Sequence, residues 1–361
     1  MISKKAESGA RNILENCVKL NRGQTILLVA EERGLGYFDD DVPLIIAKAA
    51  RAMGATVLTL STPRVEAPED VPDALNATML HVDHTVFMNR IGDQMRFRSL
   101  PGKCSKTMIY TLDDTILASD AAQFDHEFMK EMVGRFNTEM SCKKTWRITC
   151  PAGTDIAGVM PEVTTGSDTS DSSFTVNLFP ISVHRPIPAT TMNGKIVLSR
   201  FITGTNTHMY SPEVFFIEGA ITALIEKGHA VDLQGEPRAV EAFRAHSRMV
   251  ADKFGLDETL IHSWHGGLNP GTIYRGKAKD DPVRWNGMIF GSPRHLHFHT
   301  CGDYPPGEIN WHVIDPTVYF DGEAFIREGE VTFFKGDATA DLRSRYGYTE
   351  AHLRTNPNIG L

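Results

Sequence analysis

Two apolar stretches, TILLVA at residues 25–30 and TVLTL at residues 56–60, decide how the chain begins to fold. The first is apolar at nearly every position, which is typical of a strand buried on both faces of a parallel sheet. Between the two stretches, residues 41–53 have the spacing of a helix that ends before Gly54. A strand, a helix and a second strand in this order predict a βαβ unit with parallel strands.

The same pattern continues beyond this unit. Further strands are predicted at residues 84–88 and 106–110, and a helix is predicted at 123–138. The sequence therefore predicts a Rossmann-like α/β domain with a parallel sheet over residues 1–145. The loop after the first strand, residues 31–39, has a GxG but no third glycine and carries several acids, so we expect no dinucleotide there.

The second half of the chain has a different character. A polar run at residues 164–173 is predicted to be a loop at or just after a domain boundary. Short strands and a single long helix follow, so residues 146–361 are predicted to form an α+β domain with a mixed or antiparallel sheet. The predicted strands are 174–178, 195–199, 214–217, 286–290, 294–300 and 317–320, and the helix is 236–254.

Composition limits the classes of function. The 361 residues carry a net charge of −8 and are 41% hydrophobic and 23% charged, as in an ordinary globular protein. Because the chain has no run of Lys and Arg, we expect neither a nucleic-acid nor a membrane partner, but a small-molecule substrate. No apolar stretch approaches the roughly 18 residues of a membrane span, and the five cysteines are scattered, so a cytoplasmic location is expected.

Histidine is the informative residue type, since six of the 14 histidines fall between residues 262 and 312. Three of them alternate along the predicted strand 294–300. Side chains at every second residue of a strand share a face and lie roughly 7 Å apart, so two of these imidazoles can reach one metal ion. The six histidines are His262, His265, His295, His297, His299 and His312.

These residues predict a metal site. Imidazole suits Fe, Zn, Cu and Ni, and an added carboxylate favours Fe(II), Mn or Zn. We expect a divalent metal, with Fe(II) favoured and Zn or Mn as alternatives; a histidine-rich pocket without metal remains the other interpretation. His295, beside Arg294, is assigned to solvent. The predicted ligands are His262, His265, His297, His299, Glu308 and His312.

Two residues are candidates for acid–base catalysis. Glu308 can serve as ligand or base, and His184, in a Pro-rich loop, can reach a cleft between the domains. Trp264, Phe298 and Trp311 either line an apolar slot for a flat ring or belong to the core.

Several motifs resemble a known family. The segment Gly267-Leu268-Asn269-Pro270, a later strand that ends in Gly302, and the segment 308–311 leading to 316–323 look like the second domain of 2,5-dihydroxypyridine 5,6-dioxygenases. This family is related in fold to the aminopeptidase T-like metallopeptidases, whose Phe-Pro turn before a Gly-led strand is similar to Phe179-Pro180 here.

The resemblance implies an activity and a ligand set. It implies a ring-cleaving Fe(II) dioxygenase that forms homo-oligomers, with ligand positions falling on Ser263, Glu308 and Asn310. Since those residues differ from the family's ligands, either a small shift restores a site with neighbouring histidines, or His297 and His299 form a new site with Glu308. A metallohydrolase that cleaves an amide or C–N bond and a metal-free binding protein are the alternative functions.

Overall fold

The computed structural model describes residues 3–65, 70–96, 99–161, 176–205, 209–303 and 306–361, so the polar run at 164–173 lies outside the described residues. The α-helices are α1 (Lys4–Asn12), α2 (Asp41–Ala52), α3 (Asp73–Met79), α4 (Ile91–Met95), α5 (Asp114–Leu117), α6 (Asp120–Gln123), α7 (His126–Ser141), α8 (Pro237–Phe254), α9 (Pro282–Ile289) and α10 (Ala340–Tyr346). The strands are β1 (Thr25–Glu31), β2 (Thr56–Thr62), β3 (His84–Met88), β4 (Ser105–Ile109), β5 (Thr145–Thr149), β6 (Asp155–Val159), β7 (Asn177–Phe179), β8 (Ile187–Pro188), β9 (Asn193–Thr203), β10 (Val214–Glu226), β11 (His229–Gln234), β12 (Ile261–Gly266), β13 (His295–Cys301), β14 (Glu308–Ile314), β15 (Thr317–Phe320) and β16 (Glu323–Ile326). Within these ranges no helix is both long enough and apolar enough to cross a membrane.

The first sheet has five parallel strands in the order β2-β1-β3-β4-β7. Its first four strands confirm the parallel α/β sheet predicted from the apolar runs. The fifth strand, β7, was expected in the second half of the fold but pairs parallel with β4 instead. Phe179 at its end is buried in the same apolar core as β1 and β4, and burial of this ring explains why the strand joins here.

The second sheet is antiparallel and has eleven strands. Nine of them lie in the order β16-β15-β5-β6-β9-β14-β13-β12-β8. In addition, β10 pairs with β9, and β11 pairs with β10. This confirms the predicted α+β character of the second half. Strands β5, β6, β8, β11, β12, β14 and β16 were not predicted. The sequences of β11 and β12 mix polar and apolar residues without a clean alternation, whereas β14 alternates from Glu308 to Val313 and could have been recognised as a strand.

One predicted strand is wrong. Residues 286–290 belong mostly to helix α9, and their apolar side chains follow helical rather than strand spacing. Pro282 occupies the first turn, where its missing N–H costs nothing. The Asp281 carboxylate caps the helix by accepting a hydrogen bond from the Arg284 N–H at 3.0 Å.

A turn after β12 joins the antiparallel sheet to the parallel one. The Asn269 side-chain amide donates to the carbonyl oxygens of Pro180 at 2.9 Å and Ala121 at 3.3 Å. Gly271 packs so closely that a Cβ there would lie 2.3 Å from the Ala121 backbone nitrogen. The segment quoted above for its family resemblance is thus the junction between the two sheets.

The strands β12, β13 and β14 have one apolar side. The register places Trp264 opposite Phe298 and Phe298 opposite Trp311. All three rings are buried in the core of the antiparallel half. They therefore belong to the core, which was one of the two alternatives drawn from the sequence.

We expect Phe298→Ala to lower the free energy of unfolding by about 3–5 kcal/mol, because it leaves a cavity between two buried tryptophans. Denaturant titration followed by tryptophan fluorescence measures the change. Val231→Ala on β11 is the matched control, since this side chain is 53% exposed and its loss should have little effect. A loss as small for Phe298→Ala as for the control would contradict this packing.

Candidate metal centre

The opposite side of β12, β13 and β14 is polar. His265 lies opposite His297, which in turn lies opposite His312, and Ser263 and Asn310 flank His299 in the same way. Side chains that face each other across antiparallel strands project from the same side of a sheet. We call this side the histidine face; it consists of Ser263, His265, His295, His297, His299, Asn310 and His312.

Three imidazoles of this face converge. The Nε2 atom of His297 lies 2.9 Å from Nε2 of His265 and 3.0 Å from Nε2 of His299. The three side chains, which we call the histidine triad, are buried, and one ring nitrogen from each lies within 4.8 Å of the others. The triad unites His265 from β12 with the two strand histidines of β13, so it draws on both of the alternatives left open by the sequence.

The hydrogen-bonding partners of the Nδ1 atoms of His265 and His299 decide which ring nitrogens carry protons. His299 donates its Nδ1–H to the Asp303 carbonyl at 3.0 Å, and His265 donates its Nδ1–H to the His184 carbonyl at 3.3 Å. Because a carbonyl can only accept, both Nδ1 atoms must be protonated, and in the neutral ring both Nε2 atoms then present lone pairs. Two lone pairs thus point toward the same Nε2 atom of His297.

The described residues do not satisfy the hydrogen-bonding capacity of all the triad nitrogens. A proton on His297 Nε2 can be donated to only one of the two lone pairs, and His297 Nδ1 has no hydrogen-bonding partner among the described residues. Burial holds the pKa of His265 and of His297 well below the ordinary value, which keeps both rings neutral. Converging neutral imidazole nitrogens are the donor set of a divalent transition metal, so the triad fits one.

Glu308 stands beside the triad. Its side chain is buried. The carboxylate oxygens do not lie within 4.8 Å of all three triad nitrogens. Burial raises the pKa of Glu308 to about 7, although the charges of His299 and Arg96 oppose the increase. A carboxyl group with this pKa can both accept and release a proton near neutral pH.

Two nearby carboxylates raise the pKa of His299. Burial opposes its charged form, but Glu308 and Asp303 outweigh burial and raise the pKa of this imidazole. The Asp303 carboxylate also accepts a hydrogen bond from the Ser263 hydroxyl at 3.0 Å. Asp303 and Ser263 thus fix the ring orientation of one triad member, which is how second-layer groups set a ligand's tautomer.

Two of the predicted ligands lie away from the triad. His262 points in another direction, and its Nε2 atom donates to the Cys301 carbonyl at 2.8 Å. His312 shares the histidine face, but its Nδ1 atom lies 2.9 Å from His295 Nε2 and its Nε2 atom lies 3.1 Å from the Thr203 hydroxyl.

The assignment of His295 to solvent is wrong. Its side chain is fully buried, and its ring stacks on His297 with the ring centres 5.4 Å apart. Pairing with His312 across the sheet satisfies one ring nitrogen, which is why an imidazole can be buried here.

His184 approaches the triad from outside. Its ring donates from Nδ1 to the Arg185 carbonyl at 2.8 Å and accepts at Nε2 from the Gly266 N–H at 2.9 Å. Both nitrogens are therefore engaged with the backbone, and burial lowers the pKa of His184 to about 4. Since its carbonyl also receives the His265 Nδ1–H, His184 orients a triad member.

One charged group near the triad comes from the parallel-sheet half and was not predicted. Arg96 donates from Nη1 to the Tyr110 hydroxyl at 2.9 Å and to Asp93 at 3.2 Å, and all three side chains are buried. The positive charge of Arg96 acts on both Glu308 and His265. Nothing in the local pattern of residues 91–96 separates this arginine from a surface one, because its partner Tyr110 lies on another element.

Comparisons with solved structures identify the fold. The structure of 2,5-dihydroxypyridine dioxygenase from Pseudomonas putida KT2440 matches 91% of this chain and 98% of its own, with a TM-score of 0.59 and 16% identity. AmpT from Thermus thermophilus matches 91% of this chain and 99% of its own, with a TM-score of 0.51 and 13% identity. No protein-family model and no curated protein sequence matches the chain.

The chain thus shares its fold with both groups named from its motifs. The positions that the resemblance implies for ligands, Ser263, Glu308 and Asn310, all border His299 or its strand. The histidine triad lies immediately beside them on the same face of the sheet.

Replacing His297 and His299 together by Ala should remove bound metal, from about one ion per chain to almost none, because two of three donors are lost. Elemental analysis of the purified protein measures this, and circular dichroism checks the fold. His262→Ala is the matched control: it removes a histidine of β12 that points away from the triad and should leave the metal content unchanged. Full occupancy in the double variant would contradict the assignment.

Proposed function

From this geometry we propose that the chain is a mononuclear metal enzyme acting on a small hydroxylated ring, with ring-cleaving dioxygenase activity. The observation that carries the proposal is the convergence of three imidazole nitrogens, with a buried carboxylate beside them. Three protein donors leave coordination positions free for a reactant. The likeness in fold to a 2,5-dihydroxypyridine dioxygenase supports the choice of substrate class.

In this proposal His265, His297 and His299 hold the ion. A bound divalent ion supplies Lewis acidity toward a ring hydroxyl and, when it is iron, the redox chemistry that O₂ requires. Glu308 takes the proton of the ring hydroxyl at its carboxylate, for which a pKa of about 7 is suited. Asp303 and the His184 carbonyl keep two triad rings in the orientation that binding needs.

A two-metal peptidase centre fits the residues less well. Such centres need carboxylates that bridge two ions, whereas the group of converging donors among the described residues contains histidines alone. Hydrolysis with a single metal stays as a second candidate, because the buried Glu308 carboxylate can accept a proton from water as well as from a ring hydroxyl.

The metal and the consumption of O₂ separate the two candidates. We expect the purified chain to contain iron and to consume O₂ in an oxygen electrode when 2,5-dihydroxypyridine or another hydroxylated pyridine is added. A chelator should stop the consumption and added Fe(II) should restore it. Zinc in the protein, with turnover of an amide and no O₂ uptake, would instead establish the hydrolase.

Glu308→Gln should lower the turnover number about tenfold or more, because the amide has the same shape but cannot accept the proton. The metal content should stay near that of the unchanged protein, since the carboxylate lies outside the triad. Glu323→Gln, an exposed carboxylate on β16, is the matched control. Unchanged turnover in Glu308→Gln would remove Glu308 from the chemistry.

A further inference from the structure

A groove of 960 Å³ lies apart from the histidine triad, beside β9 and the last residues of the chain. We call it the basic groove. Four cationic side chains line it and no acidic side chain does; the cationic residues are Arg200, Arg275, Lys277 and Lys279.

These four cations lack protein partners. None of them makes an ion pair or a side-chain hydrogen bond with a described residue, whereas many other Lys and Arg side chains are paired with acids. The chain as a whole carries a net charge of −8. Four unpaired positive charges around one concavity of an acidic protein favour the binding of an anion there.

The wall of the groove is held in place by backbone pairing. Tyr274 N–H donates to the Asn358 carbonyl at 2.9 Å, and Ala278 N–H donates to the Gly360 carbonyl at 2.8 Å. The indole N–H of Trp285 donates to the Ile359 carbonyl at 2.7 Å. The groove is therefore built before any ligand arrives, which lowers the entropic cost of binding.

Arg200 has an unusual backbone conformation. Its φ of 72° lies in the left-handed region, next to a register shift between β9 and β10. Such bulges redirect a side chain, and a non-glycine residue in this region carries strain that other contacts must compensate. Arg200 lines both the basic groove and an adjoining cavity of 190 Å³. Arg200, next to the bulge, thus lies where the two spaces meet.

Aromatic rings stand next to the cations. Phe201, Phe216 and Tyr274 line the groove, and Phe216 is 53% exposed, which is unusual for a phenylalanine on a strand. Phe201 and Tyr274 are buried, so the exposed Phe216 ring offers the stacking surface for a flat ligand, while the cations offer partners for its acidic group.

We propose that the basic groove binds a small organic anion in which an aromatic ring carries a carboxylate or a phosphate. Arg200 and Lys277 pair with the acidic group, and Phe216 stacks on the ring. The triad contributes no residue to this site, so binding here does not depend on the proposed dioxygenase chemistry.

Isothermal titration calorimetry on the full chain tests the site with phenyl phosphate, benzoate, inorganic phosphate and benzyl alcohol. We expect phenyl phosphate or benzoate to bind at least tenfold more tightly than both inorganic phosphate and benzyl alcohol, since only the first two supply ring and charge together. The tighter of the two assigns the acidic group. Equal binding of inorganic phosphate would mean an adventitious ion only, and equal binding of benzyl alcohol or no binding at all would also overturn the proposal.

Variants locate the site. Arg200→Gln and Lys277→Gln should each weaken binding of the preferred anion about tenfold, because each removes a charged partner. Arg51→Gln, an exposed and unpaired arginine on α2, is the matched control and should change nothing. Binding should persist after chelation, which separates this site from the metal centre. Equal weakening by all three variants, or loss on chelation, would overturn the assignment.

Discussion

The antiparallel register of β12, β13 and β14 is the constraint on which the candidate centre depends. Each strand presents apolar side chains to the core and polar ones to the histidine face, so Phe298 is buried on one side while its neighbours His297 and His299 project to the other. A slip of one residue would exchange the two faces. Packing of Trp264, Phe298 and Trp311 therefore fixes the register, and the register brings the three imidazoles together.

Local periodicity accounts for much of what the sequence could predict. The apolar runs at β1 and β2 established the parallel sheet, and alternation in β13 placed His297 and His299 on one face. The third triad member comes from β12, whose mixed sequence hides a strand, and pairing between strands distant in sequence is not encoded in either one alone. Arg96 and Asp303 likewise gain their roles from residues that are near them only in the folded protein. Helix α9 was mistaken for a strand because a short apolar run is compatible with both a helix and a strand.

The histidine face buries many polar groups, and buried polar groups need hydrogen-bonding partners. His295 Nε2 pairs with His312 Nδ1, Asn310 donates to the Gly204 carbonyl at 3.1 Å, and His184 uses both ring nitrogens on the backbone. Within the described residues, His295 Nδ1 and Asn310 Oδ1 have no hydrogen-bonding partner. The triad differs from these residues because two imidazole nitrogens, one from His265 and one from His299, both lie within 3.0 Å of His297 Nε2. The convergence of three donor nitrogens, rather than a missing partner alone, therefore distinguishes the triad from the other polar groups of this face.

The turn after β12 has a mechanical consequence. Asn269 ties the end of this strand to Ala121 and Pro180, so the strand that carries His265 is braced against the parallel sheet. Rocking of one sheet as a rigid body against the other would break these bonds or pull His265 out of the triad. The position of His265 in the triad is therefore coupled to the packing of the two sheets against each other.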